Sequence, residues 1–329
     1  MEQNNIAKWG MILISLVLIL ILSMLASTAI GPVSIPLKGV FTALTNLNAQ
    51  GTESIIISQI RLPRIILAAL VGSALAVAGA AMQGLFKNPM ADPYVIGISS
   101  GAAFGASIAI VVHLSVPVFA FLFAAGTAFL VYNIAKKNGR VPVETLLLSG
   151  IAVAAFFSAM TSLVMYLAGE DLHQIVFWLM GGLWGSDWGK VTVAAPFIFL
   201  GTIGIFVFSR DLNAMLLGEE HAQHLGIEVE NVKKILLVLV SLITGIAVAV
   251  SGIIGFVGLI IPHIARLVVG PDHRILIPVS ALIGAIFLVW ADTLARTIIS
   301  PTELPVGIIT AFFGAPFFIY LLRRKRGNI

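Results

Sequence analysis

The chain of 329 residues is 59% hydrophobic and only 10% charged, with a formal net charge of +4 and no cysteine. Soluble domains carry about 25% charged residues, so a water-soluble enzyme or nucleic-acid binder is excluded, and with no cysteine so are disulfides and thiolate chemistry. In so apolar a chain the basic excess points to membrane orientation and not to nucleic acid.

Apolar runs of about 20 residues, the length a helix rising 1.5 Å per residue needs to cross about 30 Å of hydrocarbon, recur between short polar breaks. The period-2 alternation of a membrane barrel is absent. The expected fold is therefore an all-α integral membrane protein of about ten transmembrane helices, over 11–30, 62–85, 95–113, 116–135, 143–167, 188–208, 235–255, 257–270, 275–297 and 305–322. The first run, with Lys8 before it and small residues at Ala26–Ala29, has features of a secretory signal. Its apolar stretch continues to Ile30 and the remaining chain is equally membranous, so it is read as a retained span.

With the N-terminus inside, Lys8, Lys87, Lys136, Lys137, Arg140, Arg210, Lys233, Lys234, Arg274, Arg323, Arg324, Lys325 and Arg326 share the cytoplasmic side. Lys38, Arg61, Arg64, Lys190 and Arg296 fall outside, and Arg266 fits either assignment. This asymmetry obeys the positive-inside rule and puts both termini in the cytoplasm of a multi-pass cell (inner) membrane protein. Residues 31–61, 169–187 and 300–305 then lie on the far face. The middle one, with Trp178 and Trp184 and with Trp188 directly after it, suits a short helix at the headgroup layer.

In GSALAVAGAAMQG and GISSGAAFGA the small residues allow helix backbones to approach closely. Asn88-Pro89 and Asp92-Pro93 break the helix between the second and third spans. Sliding the chain by 173 positions pairs Gly72, Ala74, Ala76, Val77, Gly79, Pro89 and Gly97 with Gly245, Ala247, Ala249, Val250, Gly252, Pro262 and Gly270. That offset superimposes the second span on the seventh, and an odd separation makes an inverted repeat of two five-helix halves, a transporter feature.

The longest polar interruption is 209–234, SRDLNAMLLGEEHAQHLGIEVENVKK. Its charge density cannot lie in hydrocarbon without costing several kcal/mol per group, so it is water-facing. Within it Glu219, Glu220, His221 and His224 superficially suggest a metal site, but the order is not HExxH and no metal is expected. Asp292 and Arg296, four apart on one helix face, are expected to pair; a proton relay through Asp292 is the alternative.

RLPRIILAALVGSALAVAGAAMQGLFKNPMADPYVIGISSGAAFG, LLGEEHAQHLGI, GFVGLIIPHIARLVVGPDHRILIPVSALIGA, ADTLAR and ELPVGIITAFFGAPFFIYLL resemble the FecCD family of ABC-importer permeases, in order and spacing from Arg61 to Leu322. The resemblance implies a single permease domain over 1–329, with 209–234 as its cytoplasmic coupling segment. It implies import of a metal chelate, iron(III)-siderophore in the first place and cobalamin or haem as alternatives. The implied partners are a second permease subunit in a homodimer, two ABC ATPase subunits and an extracytoplasmic substrate-binding protein. No GxxxxGK[ST] phosphate loop occurs in the chain, so ATP and Mg belong to the ATPase partner; the chain itself is expected to hold no cofactor and not to be an enzyme.

By the same resemblance the ATPase is gripped by two short helices, Leu212 to Leu217 and Glu219 to Leu225, through Leu212, Leu217, Gly218, Glu219, Glu220, Ala222, Leu225 and Gly226. Arg61, Arg64 and Arg296 are the implied docking residues for the binding protein, since a guanidinium pairs bidentately with carboxylate. Asn88 and Met90, with Val143, Glu144 and Thr145, are the implied cytoplasmic gate; Glu144 stands where a small polar residue is expected. The pathway is implied between the fifth and tenth spans of two subunits. From a different class, an ion-coupled secondary transporter would require several buried, unpaired ionisable groups in the spans.

Overall fold

A computed structural model of the chain describes residues 2–33, 35–45 and 51–326. Residues 34 and 46–50 of the expected far-face stretch lie outside the described residues. The described chain is helical, with one isolated β-bridge between Lys137 and Arg140. In order the helices are α1 (Glu2–Ala29), α2 (Leu37–Thr45), α3 (Thr52–Ile55), α4 (Leu62–Leu85), α5 (Ile98–Val111), α6 (Val116–Ala135), α7 (Val143–Leu167), α8 (Leu172–Leu179), α9 (Trp188–Val207), α10 (Ser209–Leu216), α11 (Glu219–His224), α12 (Val229–Ser251), α13 (Val257–Val269), α14 (His273–Ala295) and α15 (Val306–Arg326).

Among the described residues, seven helical stretches are long and apolar enough to cross a membrane: residues 7–29 and 52–85, and α6, α7, α9, α12 and α14. α5, α13 and the 306–320 part of α15 are apolar but shorter. Each of the ten expected ranges thus holds one of these helices. Several boundaries differ: α1 begins at Glu2, not 11, and α15 runs on to Arg326. The helix of the second range begins ten residues early, because α3 continues through a π-turn at Ile56–Arg61 into α4. That wider turn precedes Pro63, whose ring and missing N–H disturb the regular i→i−4 ladder. α12 begins at Val229, not 235, so Glu230, Lys233 and Lys234 are helical.

α4 is the axis of the bundle, packed by α9, α12, α13 and α14. Its most apolar window is 78% buried, against 11% in α1 at the periphery. Small residues make this possible. A Cβ on Gly72 would stand 2.2 Å from the Gly284 carbonyl oxygen, and one on Gly284 would stand 2.4 Å from that of Gly72. Only glycine allows α4 and α14 to touch there, backbone against backbone.

The 173-residue offset pairs Gly72–Val77, in the middle of α4, with Gly245–Val250, the last turns of α12, while Gly79 inside α4 meets Gly252 just past the end of α12. It lapses beyond them: Pro89 lies in a turn while Pro262 is inside α13. Between α12 and α13 the chain is unwound over 252–256. Its polar backbone is met by neighbours, with Tyr94 OH donating to Ile254 O at 3.0 Å and Gly182 N–H donating to Ser251 O at 2.8 Å. Such breaks survive at membrane depth where protein covers them.

Two ends follow from the antiparallel run of α4 and α14. One gathers the C-terminus of α4, the N-termini of α12 and α14, and α10–α11; the opposite end gathers the C-termini of α1 and α14 and the N-terminus of α4. Near that opposite end the Trp-rich segment does form a short helix, α8, and Trp188 Nε1 donates to Ser58 O at 2.8 Å.

Candidate functional site

α10 and α11 realise the two short helices expected in 209–234, as Ser209–Leu216 and Glu219–His224. Gly218 at φ 131° separates them and Gly226 at φ 82° ends the pair, both in backbone conformations that a side chain disfavours. Their inner face is fully buried: Leu212, Met215 and Ala222 are 0% exposed. Leu212 packs beside Gly84 of α4. The outer face exposes Leu216, Leu217 and Leu225, with Glu220, Gln223 and His224 among them. Of the eight residues expected to couple, Leu212 and Ala222 therefore fix the element, Gly218 and Gly226 shape it, and Leu217, Glu220 and Leu225 face outward.

Two latches hold this element. Asn213 Nδ2 donates to Asp272 Oδ1 at 2.7 Å, and Asn213 Oδ1 accepts the His273 backbone N–H at 2.9 Å. Asp272 caps α14 through the Arg274 N–H at 3.0 Å and also binds the Arg274 guanidinium, 2.6 Å at the closest. Its hydrogen bonds to Arg274 hold its carboxyl well below the usual aspartate range, at about 2. The second latch is ionic: Lys233 Nζ lies 2.8 Å from Glu219 Oε2 and 3.1 Å from Glu230 Oε1. Glu230 Oε2 in turn accepts the Val141 N–H at 2.8 Å. α11 is thereby joined through α12 to the turn two residues before Val143–Thr145.

Of the expected gate residues, Glu144 is exposed and Val143 and Thr145 are half-buried at the first turn of α7. Asn88 is exposed and folds its own turn, its Oδ1 accepting the Met90 N–H at 3.0 Å. α7 abuts the Pro93–Ile96 turn that follows, since a Cβ on Gly150 would stand 2.3 Å from Val95 O. The two expected gate segments thus lie on adjoining elements.

The three arginines expected to project for docking are instead buried, at 4% (Arg61), 8% (Arg64) and 2% (Arg296) exposure. Arg61 Nη1 donates to Thr28 O at 2.6 Å and its Nη2 to Val33 O, so it closes the last carbonyls of α1, where a cation also meets the negative end of the helix dipole. Arg64 is shared by two carboxylates: Nε and Nη2 bind Asp292 at 2.9–3.0 Å, and Nη1 binds Glu303 at 2.8 Å. Arg296 Nη2 donates to Ser27 O at 2.7 Å and Ser27 Oγ at 2.6 Å. The expected Asp292–Arg296 pair exists at 3.6 Å, but Arg64 is the closer partner of Asp292. The reason is desolvation: a guanidinium next to a buried carboxylate is stabilised only by completing that carboxylate's hydrogen bonds. Glu303, half-buried, is the member of the network nearest water.

Asn213, Glu230, Lys233, Asp272 and Glu303 were not singled out from sequence. The Glu230/Lys233 spacing of three is a helix-face signal, hidden because the hydropathy window starts the seventh span only at 235. The other partnerships span elements distant in sequence. Among the described residues no group of three or more His, Cys, Asp or Glu is placed to hold a metal ion.

The FecCD transport family matches residues 18–324. The chain belongs to that family. As a FecCD protein it is 52% identical over 278 residues to the cobalamin import system permease protein BtuC of Halobacterium salinarum, covering 83% of this chain and 75% of that one. It is 40% identical to the hemin transport system permease protein HmuU of Yersinia pestis, over 94% of this chain and 95% of that one. A solved metal-chelate type ABC transporter in an inward-facing conformation superposes with a TM-score of 0.87 at 35% identity, covering 96% of this chain and 99% of the other. The FecCD assignment accounts for an all-helical bundle with a small-residue axis and polar elements confined to its ends.

Proposed function

We propose that this FecCD chain is the permease subunit of a binding-protein-dependent ABC importer for a metal chelate, working by alternating access. The observation that carries the proposal is the α10–α11 pair: latched to the bundle by Asn213 and Glu219, it presents Leu216, Leu217 and Leu225 outward from a polar segment. Exposed apolar groups within such a segment fit a partner's groove. In this reading the partner is the ATPase, which holds ATP and Mg. The α10–α11 end and both termini are then cytoplasmic, and the permease performs no covalent chemistry itself.

Closure of two ATPase subunits moves α11, and the Glu219–Lys233–Glu230–Val141 chain carries that motion to the turn before Val143, Glu144 and Thr145. Asn88 and Met90 flank the same exit. A homodimer about the exposed apolar faces of α7 and α15, where Ile151, Phe156, Phe312 and Phe313 stand free, encloses the pathway. At the far end a carboxylate of the binding protein is received by Arg64 in exchange for Glu303, the one of its two partners close to water.

For the substrate, iron(III)-siderophore is the reading of the broad family, and haem is another. The 52% identity to a cobalamin import permease supports cobalamin more specifically. Against an ion-coupled transporter stands the engagement of Asp292, which is bound by Arg64 and Arg296 and free for no proton relay. The test is reconstitution of the permease with its ATPase and binding protein in liposomes, with cobalamin, haem and a ferric siderophore offered in turn. Uptake of one chelate, dependent on ATP and on the binding protein, is expected. Uptake without any ATPase overturns the proposal.

A further inference from the structure

Between α6 and α12, on the outside of the bundle, runs a half-open groove of about 240 Å³. Phe121, Ala125, Phe129, Tyr132, Val238 and Leu242 line it, and Lys234 stands at one end. Ser241 in its wall already donates to Leu237 O at 2.6 Å. Apart from the Tyr132 phenol near the Lys234 end, the wall therefore offers hydrocarbon contact.

Its length is telling. From Phe121 to Tyr132 is eleven residues of helix, about 16 Å at 1.5 Å per residue, and from Lys234 to Leu242 about 12 Å. Half of a hydrocarbon core about 30 Å thick is about 15 Å. The groove thus runs the depth of one leaflet, beginning at the α10–α11 end.

The mouth is cationic. Lys136 follows Tyr132 by one turn of α6, and Lys137 and Arg140 form the bridged turn beyond it. The Val141–Glu230 hydrogen bond holds that turn against the first turns of α12, where Lys234 follows Glu230 by four residues. All four cations are exposed, and none forms an ion pair among the described residues. The carboxylates of Glu219 and Glu230 are taken by Lys233, leaving Glu144, Glu220 and Glu228 as exposed acids of this end, none of them ion-paired with the four cations.

We propose that this groove holds an anionic phospholipid, one acyl chain lying between α6 and α12 and the phosphate meeting Lys234 and the 136–140 turn. Charge decides the occupant. A second copy of the chain packed here through its apolar faces would leave the four cations unmatched, whereas an anionic headgroup supplies the missing charge at the depth where headgroups lie. The inference does not depend on the transport reading.

The experiment uses full-length protein purified from membranes in neutral detergent, with retained lipid measured by native mass spectrometry. In parallel, the thermal midpoint is followed in phosphatidylcholine nanodiscs of increasing phosphatidylglycerol content. Wild type should retain phosphatidylglycerol over phosphatidylcholine and gain stability as its fraction rises. Lys136→Gln and Lys234→Gln should each lower retention about fivefold. Ala125→Phe, which fills the groove and keeps the charges, should abolish it; the exposed lysine variants decide the matter alone should Ala125→Phe not fold. Equal retention by wild type and the lysine variants overturns the proposal. So does equal stabilisation by glycerol phosphate in solution, or efficient Val238→Cys cross-linking between two copies.

Discussion

Lys233 Nζ stands 2.8 Å from Glu219 and 3.1 Å from Glu230, with the lysine side chain only 4% exposed. Three segments meet there: the first turn of α11, the first turn of α12 and, through Glu230, the turn leading into α7. Both carboxylates keep some contact with water, so removing the amine costs less than breaking a fully buried pair; about 1–3 kcal/mol is expected for Lys233→Met. Its larger effect should be functional. ATPase binding should persist while substrate moved per ATP hydrolysed falls. The exchange Glu219→Lys with Lys233→Glu should recover part of that ratio, which a purely structural role does not require. An unchanged ratio in Lys233→Met argues against the link.

This relationship also shows where the sequence was legible. Hydropathy located every long helix, because a run of apolar residues has one economical home, and it isolated 209–234 because five carboxylates cannot sit in hydrocarbon. Charge density does not end a helix, however, and α12 simply projects beyond the apolar region through Glu230 and Lys233. The arginines mislead for a related reason. Arg61, Arg64 and Arg296 read as outer-side exceptions to positive-inside, and spacing connects Arg296 to Asp292, but Thr28 for Arg61, Asp292 and Glu303 for Arg64 and Ser27 for Arg296 come from distant positions that periodicity cannot connect.

The buried arginines give separable predictions for stability and capture. Arg64→Met leaves Asp292, 1% exposed in its side chain, without its main counter-charge. A loss of about 3–5 kcal/mol is expected, and Arg64→Met with Asp292→Leu should recover much of it. Thermal unfolding in detergent reads both. Glu303→Gln should leave the fold near wild type while freeing Arg64 Nη1. Tighter capture of the binding protein at low salt is then expected; unchanged capture removes Arg64 from the docking surface.

Leu217 and Leu225 are 73% and 69% exposed, so their substitution should hardly touch the fold. If they enter a partner's groove, each contributes about 1.5–3 kcal/mol of apolar burial. Leu217→Asp and Leu225→Asp should each weaken ATPase association by at least about tenfold, with melting of the isolated permease unchanged. Leu212→Ala, at a fully buried site, should show the reverse order: a loss of stability of about 2–5 kcal/mol that appears without any partner present.

The Asp272 latch should be visible in the acid range. Its carboxyl is held at about 2 by hydrogen bonds to Arg274 and Asn213, below the ordinary 3.8 of an aspartate. A carboxyl whose pKa is depressed on folding stabilises the fold fully above its unfolded value and loses that contribution as pH falls through the folded one. Asp272 should therefore be neutral in effect between pH 7 and 5, and its latch should weaken from about pH 4 down to about 2. Asp272→Asn keeps an effective N-cap for α14 but carries no titrating charge. Comparing the two proteins' melting midpoints across this window removes the background of other carboxylates. Wild type should fall more steeply than Asp272→Asn, and the difference should shrink in high salt because the Arg274 pair is largely exposed. Parallel curves would mean that the cap alone, and not the charge, holds α10 against α14.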